Sequence, residues 1–432
     1  MNIELFTGRR AELAKLLQAG VAILANGPEV IRNRDSHYAY RFDSYFHYLT
    51  AFPEPEAVCV IIAGDAPRSM LFCRDKDAER EIWDGYRYGA DAARQVFGFD
   101  EAYPISQLDE KLPELLADQP RLAYLVGSDA AWDGRVLGWL NAVRARSRAG
   151  VSAPEEIIDV RRWLDEMRLV KHGAELDIMR RAAAISSAAH GRAMARTRPG
   201  KFEYEIEAEL LHDFVRHAAR HPAYASIVAG GANACILHYV ENTSELKDGE
   251  LLLIDAGCEL EGYASDITRT FPVNGKFSGA QQAVYEIVLQ AQLAAIDTVK
   301  PGTHWNEPHD AALRILTQGM VDLKLLQGEV DGLIEQEAYK RFYMHRTGHW
   351  LGRDVHDVGE YKLQGDWREL RPGMVLTVEP GFYIRAADDV PAALHNIGIR
   401  IEDDVAVTET GHEVLSSAPK TVAEIEACMA ER

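Results

Sequence analysis

Two aspartates, Asp255 and Asp266, lie in the stretch LLLIDAGCELEGYASDITRTF (251–271) where a metal ion could join them. An apolar run ends at Asp255, a glycine-containing turn follows, and a second β-type run brings Asp266 back, which is the pattern of a hairpin. A turn centred on Leu260-Glu261 would place Asp255 directly opposite Asp266. Opposed residues of an antiparallel pair have Cβ atoms about 5 Å apart. Two buried carboxylates that close repel unless a proton or a cation sits between them. The stretch therefore predicts a metal-binding hairpin.

Three later segments carry suitable partners. MHRTGHWLG (344–352) holds His345 and His349, and His356 follows seven residues after His349. Gly348 and Gly352 argue against a regular helix there, so the histidines come from a loop, one as a ligand and the others around a substrate. In MVLTVEPG (374–381), Glu379 is the one charge at the end of an apolar strand, a costly place unless it is paired or metal-bound. In GIRIEDDV (398–405), Ile399 and Ile401 share one face while Arg400 and Glu402 share the other. Asp403 and Asp404 are expected to be solvated where this strand leaves the core. One imidazole with Asp255, Asp266, Glu379 and Glu402 makes a hard donor set suited to manganese, cobalt, iron or, less obviously, zinc. Two such ions about 3.5–4 Å apart acidify a bridging water to hydroxide, the arrangement of metal-assisted hydrolysis.

The elements that must position these residues fall into two groups. Leu13, Leu16 and Leu17 show helical spacing and lead into the apolar run Val21–Gly27. Further runs at Ala57–Ala63, Ser69–Cys73 and Leu122–Gly127 alternate with helix-like segments at 90–96 and 108–117, which predicts an α/β domain. Gly150-Val151-Ser152-Ala153-Pro154 breaks the pattern, so the domains are read as 1–165 and 166–432. In the second, Ile206, Leu210, Phe214 and Ala218 form a helical stripe ending at Arg220-His221-Pro222. Ser278 reads as the N-cap of a helix through Val284, Ile287, Val288 and Ala291. Sections rich in β-type residues, 224–274 and 374–410, flank these helices.

A chain of 432 residues fits two domains. Its 47% hydrophobic and 26% charged residues are those of a globular protein. The formal net charge of -20 argues against nucleic acid or an anionic membrane as a partner. Five scattered cysteines without a CxxC pair indicate neither a disulfide framework nor a thiolate zinc site. No apolar run of about 18 residues predicts a spanning helix. The N-terminal segment MNIELFTGRRAEL carries Glu4 early and no long apolar run, so it does not read as a secretory signal and a cytoplasmic location is expected.

The strings HYVEN (238–242), IDAGCELEGYASDITRTFPVNGKFS (254–278), MHRTGHWLGRDVHDVGEY (344–361), LRPGMVLTVEPGFYI (370–384) and GIRIEDDVAVTETG (398–411) resemble the aminopeptidase P family of pita-bread metallopeptidases. RFDSYFHYLTAFPEPEAVCVI (41–61) resembles that family's N-terminal domain. The resemblance implies an α/β N-terminal domain followed by an α+β pita-bread domain of the creatinase and methionine aminopeptidase type. It implies two divalent ions, manganese first among the candidates, held by Asp255, Asp266, His349, Glu379 and Glu402. Asp255 would be bidentate to one ion, Asp266 and Glu402 would bridge both, and His349 and Glu379 would complete the other. Glu379 would also take the proton of the bridging water. His238, His345 and His356 would surround the substrate, and Arg400 would hold a ligand carboxylate. Tyr383, Tyr224 and Trp83 match aromatic positions near the groove. Because Trp83 lies in the first domain, it would reach a neighbouring subunit's site, which implies a homo-oligomer, a dimer or tetramer.

The implied reaction releases the N-terminal residue from peptides with proline second. The Xaa-Pro bond is a tertiary amide without an N–H, so its peptidase cannot grip that hydrogen. Prolidase, acting on Xaa-Pro dipeptides, shares the donor set and is the near alternative. A metal-free binding module is a further alternative, against which the five intact donors speak, and a methionine aminopeptidase leaves the first domain unexplained. Arg346-Thr347 and Ala234 depart from the family pattern at positions outside the donor set.

Overall fold

The strand Gly20–Ala25 is buried on both faces, which is why it reads as an unbroken apolar run rather than an alternating one. Val21 and Ile23 pack with Leu112, Val136 and Leu140, while Ala22 and Leu24 pack with Leu13, Phe46 and Phe97. The computed structural model describes residues 3–430 and separates a unit ending at Met167 from one beginning at Arg168. In the first unit six strands run in the order Glu101–Pro104, Arg68–Cys73, Val58–Ala63, Gly20–Ala25, Arg121–Tyr124 and Glu156–Asp159. Helices Ile3–Leu17, Ser44–Thr50 and Gly89–Phe97 contribute to one core, and Leu108–Leu116 and Ala130–Arg144 to the other. This is the α/β layering that the alternation of runs predicted.

The second unit is organised around two broken antiparallel hairpins. In the first, Leu251–Asp255 pairs with Thr268–Pro272 and Cys258–Leu260 with Tyr263–Ala264. In the second, Val375–Val378 pairs with Asp403–Val407 and Gly381–Ile384 with Ile397–Arg400. Long helices, Gly173–Arg196, Glu203–Arg216, Gly279–Thr298 and Glu307–Asp322, share one large core with them. Ser278 does cap its helix, in a reciprocal box with Gln281. The stripe helix stops at Arg216, before Ala218, and His221–Pro222 form a short strand against Cys258-Glu259.

Two expectations need correction. The first hairpin turns at Glu261-Gly262, one residue later than expected, and both turn residues have positive φ (52° and 79°). That is the turn geometry whose twist suits a two-residue hairpin loop. The register moves accordingly, so Asp255 faces Thr268 instead of Asp266. Asp266 falls opposite Gly257, where an added Cβ would lie 1.7 Å from the Ser265 carbonyl oxygen. Asp403 and Asp404, expected in solvent, are buried, because the strand Asp403–Val407 is covered on both faces. Asp403 accepts from Arg269, Lys420 and Gln292, each at 2.7 Å, and the Asp404 carboxylate accepts the backbone N–H of Asp266.

Candidate metal centre

The carboxylates lie at the breaks in the two hairpins, where a strand leaves one ladder before joining the next. Continuing the register that pairs Val378 with Asp403 and Gly381 with Arg400 puts Glu379 opposite Glu402. The Glu402 N–H donates to the Thr268 carbonyl (3.1 Å), joining the second hairpin to the first. The histidine loop docks on the same strand, with Thr377 N–H donating to His349 O and Glu379 N–H to Thr347 O. Backbone hydrogen bonds thus bring four separate stretches of chain to one point.

Asp266, His349 and Glu402 each offer a donor atom within 4.8 Å of the others. His349 Nδ1 faces the Trp350 carbonyl at 2.9 Å, which assigns the hydrogen to Nδ1. Nε2 is then left toward Asp266 (3.4 Å) and Glu379 (3.7 Å). Fixing the tautomer through the far nitrogen is how ligating histidines are oriented. The Tyr224 hydroxyl sits between the first-hairpin carboxylates, 2.6 Å from Asp255 Oδ1 and in contact with Asp266. Arg400 donates to Asp255 Oδ2 (2.6 Å), to the Tyr383 hydroxyl (3.0 Å) and to Thr268 Oγ1 (3.1 Å). Thr268 passes the chain on, its hydroxyl donating to Glu402 Oε2 at 2.6 Å.

All five expected donors line a cleft of ≈ 530 Å³, together with Tyr224, His238, His345, His356 and Arg400. Tyr383 does not line it. Its ring is 1% exposed, and its hydroxyl links Arg400 to His345 Nε2 (2.8 Å) from behind the cleft. His345 also bonds the Arg346 carbonyl through Nδ1, so both of its nitrogens are engaged. Trp83 belongs to the first unit, on the helix Ala78–Asp84, and is 80% exposed. Thr268 escaped the sequence reading. Its signal was available, since it lies two residues beyond Asp266 in a β-type run and so faces the same way.

Burial, and then the neighbouring carboxylates, push the Asp266 and Glu402 acids up and raise Glu379 to about 7. Burial disfavours charge on His349, but its hydrogen bond to Asp266 and the field of Glu379 outweigh this and raise it to about 9. Burial, with Arg400 nearby, lowers His345 to about 4. Dry oxygen donors that repel one another, with one imidazole among them, fit a divalent cation site.

A model of metallopeptidase family M24 matches residues 177–409, and one of the aminopeptidase P N-terminal domain matches residues 6–124. The chain belongs to metallopeptidase family M24. The Xaa-Pro aminopeptidase of Escherichia coli (strain K12) is 48% identical over 428 residues, which cover 98% of this chain and 97% of that protein. Among solved structures, Pseudomonas aeruginosa aminopeptidase PepP aligns with a TM-score of 0.98 at 52% identity, covering 100% of this chain and 98% of its own. Zn-substituted E. coli aminopeptidase P in complex with product aligns with a TM-score of 0.97 at 47% identity, with the same coverage. The M24 architecture, an aminopeptidase P type N-terminal domain before a pita-bread catalytic domain, is therefore the architecture of this chain.

Proposed function

We propose that this M24 chain is a dinuclear metal-dependent aminopeptidase that releases the N-terminal residue from peptides with proline in the second position. The observation that carries this is the convergence of Asp255, Asp266, His349, Glu379 and Glu402 on one cleft. These five would hold two ions, manganese in our reading, with cobalt, iron or zinc as the other candidates. When bound, such a pair polarises a carbonyl and acidifies water to a hydroxide nucleophile near neutral pH.

The chain's own groups do the rest. Glu379, at the break between its two strands, accepts the proton of the attacking water and delivers it to the proline nitrogen, which has none of its own. His238 and His356, both lining the cleft, face the carbonyl oxygen where charge develops. Arg400 fixes Asp255 and, through Thr268, Glu402, while Tyr224 fixes Asp255 and Asp266. Trp83, from the first unit, serves a neighbouring subunit in a dimer or tetramer. The location is cytoplasmic, and neither nucleic acid nor a membrane is a partner. Among the described residues no helix is long and apolar enough to cross a membrane.

Comparing a Xaa-Pro-Yaa tripeptide with a Xaa-Pro dipeptide under added manganese tests the reading. Cleavage of the dipeptide alone would establish a prolidase instead. Protein purified without chelator that carries no divalent ion would point to the binding-module reading. Glu379→Ala is expected to lower turnover of the tripeptide by about 10²–10⁴-fold, the range for losing a proton-transfer group, with the circular dichroism unchanged. Full turnover by that variant would remove Glu379 from the chemistry.

A further inference from the structure

The histidine loop rests on a buried ion cluster that the reaction itself does not use. Asp357, with a side chain 0% exposed, meets Arg168 Nη2 at 2.6 Å and Lys171 Nζ at 2.9 Å, and both cations are 1% exposed. Arg168 also reaches Asp354 at 2.6 Å. The loop is fitted around this carboxylate. The Asp357 N–H donates to the Trp350 carbonyl, and the Gly352 N–H to the Asp354 carbonyl. A Cβ on Gly352 would lie 2.1 Å from Asp357 Oδ2, so only glycine leaves room for it. The Gly352 carbonyl in turn accepts from Ala264 N–H, on the hairpin that carries Asp266.

His356, the neighbour of Asp357, lies over the cleft with its ring centroid 4.2 Å from that of His349. Among the described residues its imidazole has no hydrogen bond of its own, so its position follows from the backbone that bears it. A buried anchor of that backbone is the Asp357 carboxylate one residue on. A carboxylate shared by two buried cations holds a loop firmly, since displacing it would leave uncompensated charge in the interior.

We propose that Asp357, clamped by Arg168 and Lys171, is the positioning residue that sets His356 over the cleft. The proposal rests on the reading above, in which His356 meets the substrate carbonyl. It gives the first residues of the second unit, Arg168 and Lys171, a part in catalysis without touching substrate.

A double-mutant cycle on the full-length, metal-loaded protein tests it. Asp357→Asn, His356→Ala and the double variant are assayed for kcat and KM on a Xaa-Pro-Yaa tripeptide, with bound metal and Tm measured alongside. Asp357→Asn is expected to lower kcat at least tenfold with metal content unchanged. In the His356→Ala background the same substitution is expected to cause less than a twofold further loss. Losses that multiply in the double variant would show a general structural role and overturn the proposal. Normal turnover by Asp357→Asn with His356→Ala impaired would overturn the clamp alone. Normal turnover by His356→Ala would overturn the role of His356 and the proposal with it. If Asp357→Asn does not fold, Lys171→Met keeps Arg168 on the carboxylate. It is expected to give a smaller kcat loss that likewise vanishes beside His356→Ala.

Discussion

Glu379 and His349 face one another at 3.7 Å, and the balance of charge between them has a measurable consequence. Burial and the surrounding carboxylates raise Glu379 to about 7, so near neutrality much of it holds a proton in the metal-free protein. His349, at about 9, holds one as well, because burial is opposed first by its hydrogen bond to Asp266 and then by the charges of Glu379 and Asp266, which together outweigh it. Metal ions take only the deprotonated carboxylate and the neutral imidazole. Loading at pH 7 must therefore expel protons, and apparent affinity must strengthen as pH rises toward 9, where Glu379 has already lost its proton and His349 is losing its own. Titration calorimetry in two buffers of different ionisation heat is expected to show about one proton or more released per protein at pH 7, falling as pH approaches 9. Release that stays at zero through this range would contradict the charge assignment. Thr268 belongs to the same balance. Fully buried, it donates to Glu402 and accepts from Arg400, tying a carboxylate of one hairpin to the cation that holds Asp255.

Secondary-structure elements bring these residues together through breaks and close approaches. Gly348 shows how tight the docking of the histidine loop is, since a Cβ there would lie 2.0 Å from the Thr377 carbonyl oxygen. Gly348→Ala must push the loop off the strand Val375–Val378 and carry His349 away from Asp266. Overpacking of this kind costs about 1–3 kcal/mol. The variant is expected to unfold cooperatively at a lower Tm, and to bind metal more weakly than the loss of stability alone explains. A normal metal titration would show that the loop is not what places His349. The same closeness explains which parts of the site could be read from the chain. Glu379 announced itself as a lone charge ending an apolar strand, and Glu402 as a polar position alternating with Ile399 and Ile401. The register of the first hairpin did not, because it depends on Glu261 taking a left-handed backbone conformation that a glutamate does not signal. Asp403 was misread for a different reason. Its partners Arg269 and Gln292 come from a strand and a helix more than a hundred residues earlier and Lys420 from a loop after the strand, and no local pattern reports them. For Tyr383 the sequence gives nearness to the groove but not whether the ring lines it, and the ring is buried beside Arg400 and His345 without lining the cleft.

For the whole molecule, what stands out is an apolar surface on a strongly acidic protein. Ile82, Trp83 and Tyr86 are 79%, 80% and 63% exposed on the first unit. Exposed apolar patches of this kind commonly mark contacts with another chain. Each chain carries a formal charge of -20, so two copies approaching one another repel. Added salt screens that repulsion, the Debye length falling from about 30 Å at 0.01 M to about 10 Å at 0.1 M. An assembly held by apolar contact must therefore tighten as salt rises, whereas one held by ion pairs must loosen. Sedimentation of the purified protein is expected to give a small multiple of 48.2 kDa, a dimer or tetramer, that persists to lower protein concentration at 0.15 M salt than at 0.01 M. Trp83→Ala is expected to weaken this assembly and to raise KM for the tripeptide while leaving bound metal unchanged, because Trp83 offers the metal no donor atom. A monomer at every concentration and salt, with normal KM in Trp83→Ala, would exclude a site shared between subunits and leave the cleft to work alone.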